Sequence, residues 1–273
     1  MTLNETEQQV LHRTRLLVGD AVLEHLGSLR VVLFGVGGVG SWCAESLVRS
    51  GVKQLTLVDS DRVCISNVNR QLMATLPTVG RVKVEALRER LLTINPEAEI
   101  RAIQDIYNAE NSERFELDSY DVIVDAIDSL AEKAHLILRA TGTKAIFVSS
   151  MGAALKLDPS RVQEAEFWKV KGCPLARALR AKFKRAKTYP SRKFRVVFSD
   201  EVLPNLGEGD MDAPEPTLPT ATECVEGRAD LAQHSWNERK AQINGTLAHI
   251  TAMFGMMLAG IVLREIYQQC TKK

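Results

Sequence analysis

Residues 30–40 read RVVLFGVGGVG, an apolar run from Arg30 to Phe34 that breaks directly into Gly35, Gly37, Gly38 and Gly40. A short unbroken run of valine, leucine and phenylalanine suits a buried strand. Glycines at this spacing permit a tight turn whose backbone N–H groups face an anionic group at a helix start. Val39 to Ser50 has helical spacing and Gln54 to Val58 (QLTLV) reads as the next strand. Asp59 closes that strand nineteen residues after Gly40, where a carboxylate can accept from ribose hydroxyls. This is a phosphate loop of the dinucleotide type, and by itself it favours an NAD or FAD enzyme.

The alternation continues outward from the loop. Val79 to Leu92 is helical, Glu99 to Gln104 and Asp121 to Ile127 are strands, Ala131 to Ala140 is helical and Ala145 to Ser149 is a strand. Strands alternating with helices of this length predict an α/β fold, a Rossmann-like doubly wound and mainly parallel sheet with helices on both faces. Residues 1–150 form its nucleotide-binding core with an N-terminal helical arm, and residues 151–273 continue it. There Leu155 to Leu157 and Phe194 to Ser199 are expected to pair antiparallel around a basic helical segment, 174–195. Residues 204–222 read as a flexible loop of the kind that forms lids, and 245–268 as a C-terminal helix.

Composition bounds the rest. The chain has 273 residues, 45% of them hydrophobic and 25% charged, which excludes disorder and fibrous classes. With 35 basic and 34 acidic residues the net charge is +1, so attraction to nucleic acid or membrane must come from a local patch. Five dispersed cysteines without a CxxC pair, and an N-terminus lacking a signal-peptide profile, predict a reduced cytoplasmic protein. The longest apolar run, Ile250 to Leu263, has fourteen residues against the roughly 20 of a membrane span, so no membrane partner is expected.

The residues after the loop change its meaning. Asp59, Asp61, Ser66, Asn67, Arg70, Gln71, Lys83, Asp125, Asp128 and Ser129 place cations and carboxylates around one nucleotide site. Hydride transfer has no use for them. Adenylation of a carboxylate does, because one anion must attack the α-phosphorus of another while a carboxylate holds Mg²⁺. Plainer roles stay open: Asp59, Asp61 and Asp128 as helix caps, Arg70 and Lys83 as solvated helix charges.

GVGGVGSW, LTLVDSDRVCISNVNRQ, the VGRVKVE context of Lys83 and DAIDS resemble the adenylating superfamily of ThiF, MoeB, HesA and the ubiquitin-activating enzymes, over residues 13 to about 150. VSSMGAALKLDPSR, GCPLARALR, FRVVFSDE and the GTLAHI to LAGIVLREI helix narrow the resemblance to the tRNA threonylcarbamoyladenosine dehydratases. It implies ATP phosphates at Gly38 and Arg70, ribose at Asp59, and further nucleotide contacts from Ser66 and Asn67. It also implies a cationic role for Lys83 and Mg²⁺ or nucleotide at Asp128. Arg13 resembles an arginine that reaches into the second subunit of a homodimer, with Arg15 as its rival. The implied cofactors are ATP and Mg²⁺, the implied partner is tRNA, and a sulfur-transfer protein is left open as a further partner. The alternative activity is adenylation of the C-terminal glycine of a ubiquitin-like sulfur carrier, which the missing zinc-type CxxC pairs weaken.

Cys224, in TATECVEG, and Cys173, before Pro174, are thiols for which packing outweighs chemistry; Glu223 and Glu226 would raise the Cys224 pKa. Between Arg177 and Arg195 nine of nineteen residues are Lys or Arg and none is acidic, leaving the rest of the chain at net −8. Arg177, Arg180, Lys182, Lys184 and Arg185, with Phe183, Tyr189 and Phe194 interleaved, are candidate RNA contacts. A solvated face is the plainer reading.

Overall fold

Seven short runs, most of them rich in β-branched residues, form one sheet, and the amphipathic stretches between them cover its two faces. The computed structural model describes residues 4–207 and 244–271. Strands β1 (Arg30–Phe34), β2 (Gln54–Val58), β3 (Glu99–Ile103), β4 (Val122–Asp125), β5 (Ile146–Ser150), β6 (Val162–Glu166) and β7 (Arg195–Ser199) lie in the order β3-β2-β1-β4-β5-β7-β6. All neighbours are parallel except β6 and β7. The described helices are α1 (Glu5–Val10), α2 (His12–Val18), α3 (Asp20–Ser28), α4 (Gly40–Arg49), α5 (Lys83–Leu92), α6 (Leu130–Gly142), α7 (Pro174–Ala186) and α8 (Ala248–Thr271).

Strand periodicity splits the core into two layers. Val31, Leu33, Leu55, Leu57 and Val124 point to the side of α3, α4, α5 and α8, while Val32, Phe34, Ile123, Phe147 and Val196 point to the side of α6 and α7. The strand order reverses between β1 and β4, and at such a switch point the carboxyl ends of the two strands leave a crevice. The glycine loop follows β1 and the DAIDS segment follows β4, so both open into it.

The doubly wound parallel sheet is as expected, and several local expectations need correction. Leu155 to Leu157 is not a strand: Leu155 has φ +60° and donates its N–H to the Gly245 carbonyl, and β7 pairs antiparallel with β6. The strand β6, VQEAE, escaped notice because an edge strand can be polar. The helix expected from Val79 starts at Lys83, since Thr78 to Gly80 form a turn and Gly80 (φ +86°) donates to the Val63 carbonyl. The last helix is Ala248–Thr271, 24 residues, and by length and composition it is the one described helix able to cross a membrane. It packs inside instead. Ile250, Phe254, Leu258 and Val262 are fully buried, and a Cβ on Gly255 would sit 2.4 Å from the Val39 carbonyl oxygen, so α8 lies directly on the start of α4. Most of the expected 204–222 loop, and Cys224, fall outside the described residues.

Candidate functional site

The crevice is a cavity of about 610 Å³ whose lining includes Gly35, Gly37, Gly38, Asp59, Asp61, Asn67, Arg70, Gln71, Lys83, Asp128 and Ser129. Gly35 holds the turn open: its φ is +86° and a Cβ there would lie 2.7 Å from the Ala126 carbonyl oxygen. Gly40 does not line the cavity. A Cβ at Gly40 would fall 1.8 Å from the Gly35 carbonyl oxygen, so its task is to let α4 start against the turn, as the third glycine of such loops does.

Asp59 leaves β2 with both carboxylate oxygens engaged, accepting from the Val36 N–H at 2.8 Å and the Asp61 N–H at 2.9 Å. Burial pushes its pKa up to about 6, against the Lys83 charge and with help from the Asp61 carboxylate. Lys83 opens α5 with its Nζ buried and 2.7 Å from Asp61 Oδ2. Burial opposes its charge, but Asp59 and Asp61 outweigh burial and hold the ammonium above its ordinary pKa.

Arg70 donates from Nη1 to the Ser66 carbonyl and to Asn69 Oδ1, both at 2.9 Å. Its backbone carbonyl accepts from Trp42 Nε1 of α4 at 3.3 Å. Burial lowers its pKa, and Asp128 across the cavity opposes that shift. Ser66 is exposed and does not line the cavity; only its carbonyl serves, by orienting Arg70. Asn67 is buried and folds its own turn, its Oδ1 accepting from the Cys64 N–H at 3.1 Å. Gln71 is buried beside the glycine loop, and its Oε1 has no hydrogen-bond partner. A buried orphan acceptor in a nucleotide-sized cavity fits a ligand that donates.

Asp128 is exposed to the cavity, and Ser129 precedes α6 with its hydroxyl donating to Glu132. Asp125 is elsewhere: fully buried below the loop, it pairs with Lys133 Nζ at 2.8 Å and accepts from Ser149 Oγ at 2.7 Å and the Ile127 N–H at 3.1 Å. Lys133 also donates to the Ile127 carbonyl at 2.8 Å, so the two residues clamp the segment that carries Asp128. No sequence motif singles out Lys133. Its signal was present, since Lys133 shares the buried face of α6 with Ile137, Ala140 and Thr141 at helical spacing, and a lysine there requires a partner. Asp105, Ile106 and Tyr107 after β3, Gly152 to Ala154 after β5, and Thr246 and Thr251 also line the cavity unforeseen.

Arg13 does not line the cavity of its own chain. It is exposed on α2, as are Leu16 (74%) and Leu17 (81%), while Arg15 is held by Asp20. Of the basic candidates, Arg177, Lys184 and Arg185 are exposed on α7. Arg180 turns inward, donating to the Phe167 carbonyl at 3.1 Å with its guanidinium 5.9 Å from that ring's centroid. Phe183 and Phe194 are core residues, Cys173 is buried, and among the described cysteines none is exposed.

The ThiF family matches residues 11–273. The tRNA threonylcarbamoyladenosine dehydratase of Bacillus subtilis is 42% identical over 189 residues, 69% of this chain and 74% of that protein. The structure of Escherichia coli tRNA N6-threonylcarbamoyladenosine dehydratase in complex with AMP superposes with a TM-score of 0.82 at 27% identity over 100% of both chains. Its complex with ATP gives 0.80 at 28% identity over 98% of both. The Escherichia coli molybdopterin-synthase adenylyltransferase is more distant, 33% identical over 135 residues that cover 50% of this chain and 53% of that one.

Proposed function

The chain belongs to the ThiF family, and from that premise we propose that it dehydrates threonylcarbamoyladenosine in tRNA at the expense of ATP. The observation that carries this reading is similarity along the whole chain to a dehydratase of that name, including the region after β5 where a general adenylating fold would be free to differ. The sulfur-carrier alternative has similarity over only half the chain.

The substrate carboxylate attacks the α-phosphorus of ATP, a new O–P bond forms, and pyrophosphate leaves with the electrons of the α–β bridge. The carbamoyl group of the same side chain then attacks the acyl carbon, loses a proton and expels AMP. The ring closes, and the net change is loss of one water. Gly37 and Gly38 present backbone N–H groups at the start of α4 to phosphate. Asp59 accepts from the ribose, and Arg70 and Lys83 offset the charge of two anions brought together. The Asp128 carboxylate, exposed to the cavity, would hold Mg²⁺, a hard cation that takes oxygen donors. When bound, that ion supplies charge neutralisation on the triphosphate.

The exposed apolar side chains beside Arg13 support a homodimer in which α2 meets the partner and Arg13 enters its cavity. The basic face of α7 supports tRNA as the macromolecular partner, and a tRNA substrate suits the cytoplasm as the place of work. Mass spectrometry of tRNA nucleosides after incubation with enzyme and ATP tests the reading. Threonylcarbamoyladenosine should be replaced by a product lighter by one water, with AMP released in step. Release of AMP only on addition of a carrier protein would overturn it.

A further inference from the structure

Two exposed aromatic rings that the ATP site does not use stand together at the edge of the basic helix. Trp168 lies in the turn after β6 and Tyr189 just beyond the end of α7, yet their ring centroids are 6.2 Å apart, tilted by 46°. They are 37% and 52% exposed.

The pair is rigidly supported. Trp168 stands edge-on to Phe167 at 5.3 Å, and Phe167 is fully buried and stacked on Phe194 at 5.0 Å. Arg180 ties the Phe167 carbonyl to the middle of α7. On the other side α7 ends with Lys187 at φ +52°, its N–H donating to the Lys184 carbonyl and the Thr188 N–H to the Phe183 carbonyl, both at 3.2 Å. Those two bonds are the Schellman pattern, which turns the chain sharply and carries Tyr189 back towards Trp168.

Charge surrounds the rings. From Phe167 to Ser199 there are eleven Lys and Arg and no Asp or Glu. Lys169, Lys171, Arg177, Lys184, Arg185 and Lys187 are exposed and make no ion pair among the described residues. A protein partner seated on the rings would have to desolvate this unopposed charge, whereas a nucleic acid strand uses both features, bases on the π faces and phosphates on the cations. The basic helix links the two places: Leu175 in its first turn lines the nucleotide cavity, and the helix ends at Ala186, about 17 Å further along its axis at 1.5 Å per residue, just before Tyr189.

We propose that Trp168 and Tyr189 form a stacking platform for an unpaired base of the tRNA anticodon loop, at the other end of α7 from the cavity that takes the adenosine. This rests on the tRNA-dehydratase reading above. Exposed aromatic side chains flanked by cations are how single-stranded RNA loops are gripped, and stacking tolerates any base.

The test measures binding of tRNA carrying threonylcarbamoyladenosine to the full-length protein and to Trp168→Ala, Tyr189→Ala, Trp168→Phe and Lys184→Glu/Lys187→Glu. Each alanine variant should bind tRNA about 5- to 150-fold more weakly, the range set by losing one stacked base. Its slope of log K against log salt should stay at the wild-type value, because no phosphate contact is lost. Trp168→Phe should recover most of the affinity, KM for tRNA should rise with kcat little changed, and ATP affinity should not move. The double lysine variant should flatten the salt slope instead. Wild-type tRNA affinity in both alanine variants, with the wild-type enzyme still converting tRNA, would overturn the platform and leave the activity standing. A wild-type protein that neither binds nor converts this tRNA would overturn both.

Discussion

Lys83 and Asp128 both line the cavity, one a cation and the other a carboxylate, and the proposed chemistry uses both. Loss of a preorganised charged group commonly costs about 10²- to 10³-fold in turnover. Lys83→Ala and Asp128→Ala should each lower kcat by that order, with the circular dichroism spectrum unchanged; near-normal turnover would remove the residue from the mechanism. Asp59 adds a pH signature. Its pKa stands near 6 because burial penalises the carboxylate, and in the proposed role the ionised form is the one that accepts from the ribose. ATP affinity should therefore fall as pH drops through about 6, and Asp59→Asn should bind ATP weakly with no such limb. A raised carboxyl pKa also means that the neutral form stabilises the fold. That contribution is complete below the unfolded value of about 4 and disappears as pH rises towards 6. Between pH 4 and 7 the melting temperature of the wild type should thus drop relative to that of Asp59→Asn, and parallel curves for the two proteins would contradict the shift.

The segment from Asp125 to Ser129, between β4 and α6, shows how a buried pair shapes a loop that lines the cavity. Asp125 and Lys133 are both fully buried, and between them they bind the N–H and the carbonyl of Ile127. Removing one member of such a pair leaves the other charge unmatched and costs about 3–5 kcal/mol. Lys133→Met should lower stability to chemical denaturation by that amount, and Asp125→Asn/Lys133→Met should recover part of it. Activity should not return with stability, because Asp128 is then no longer held. A double variant as active as wild type would show that the loop needs no clamp. Of these features the motif was legible and the clamp was not: DAIDS reads as five residues in a row, whereas Lys133 reveals its partner only once α6 is laid against β4.

For the assembled molecule the question is whether each cavity is completed by a second chain. Arg13 lies outside the cavity of its own chain, on a helix whose neighbouring leucines are left in solvent. In a two-fold dimer each chain would lend its arginine to the other. Arg13→Ala and Asp128→Ala chains should each be inactive alone. After random subunit exchange half the dimers are mixed, each with one intact site, so about a quarter of wild-type activity should return. An arginine acting within its own chain would leave every site defective. No recovery after demonstrated exchange would exclude the shared site.

What the amino-acid sequence alone determines is whatever is local in the chain. The strand-glycine-helix order, the carboxylate at the end of β2 and the cation-carboxylate set after it are short-range patterns, and they were sufficient for the fold class and for a nucleotide site. The roles of Gly40, Ser66, Arg180 and Lys133 depended on contacts that residue spacing does not report, with Gly35, Arg70, Phe167 and Asp125. Gly40 is a packing glycine because the Gly35 carbonyl occupies the space of its Cβ, and Arg180 belongs to the core because Phe167 lies beneath it. A periodic pattern reports which face of an element is buried but not which residue it meets there. The fold brings Trp168 and Tyr189 together across a turn and the helix α7, and no spacing rule joins two aromatics twenty-one positions apart.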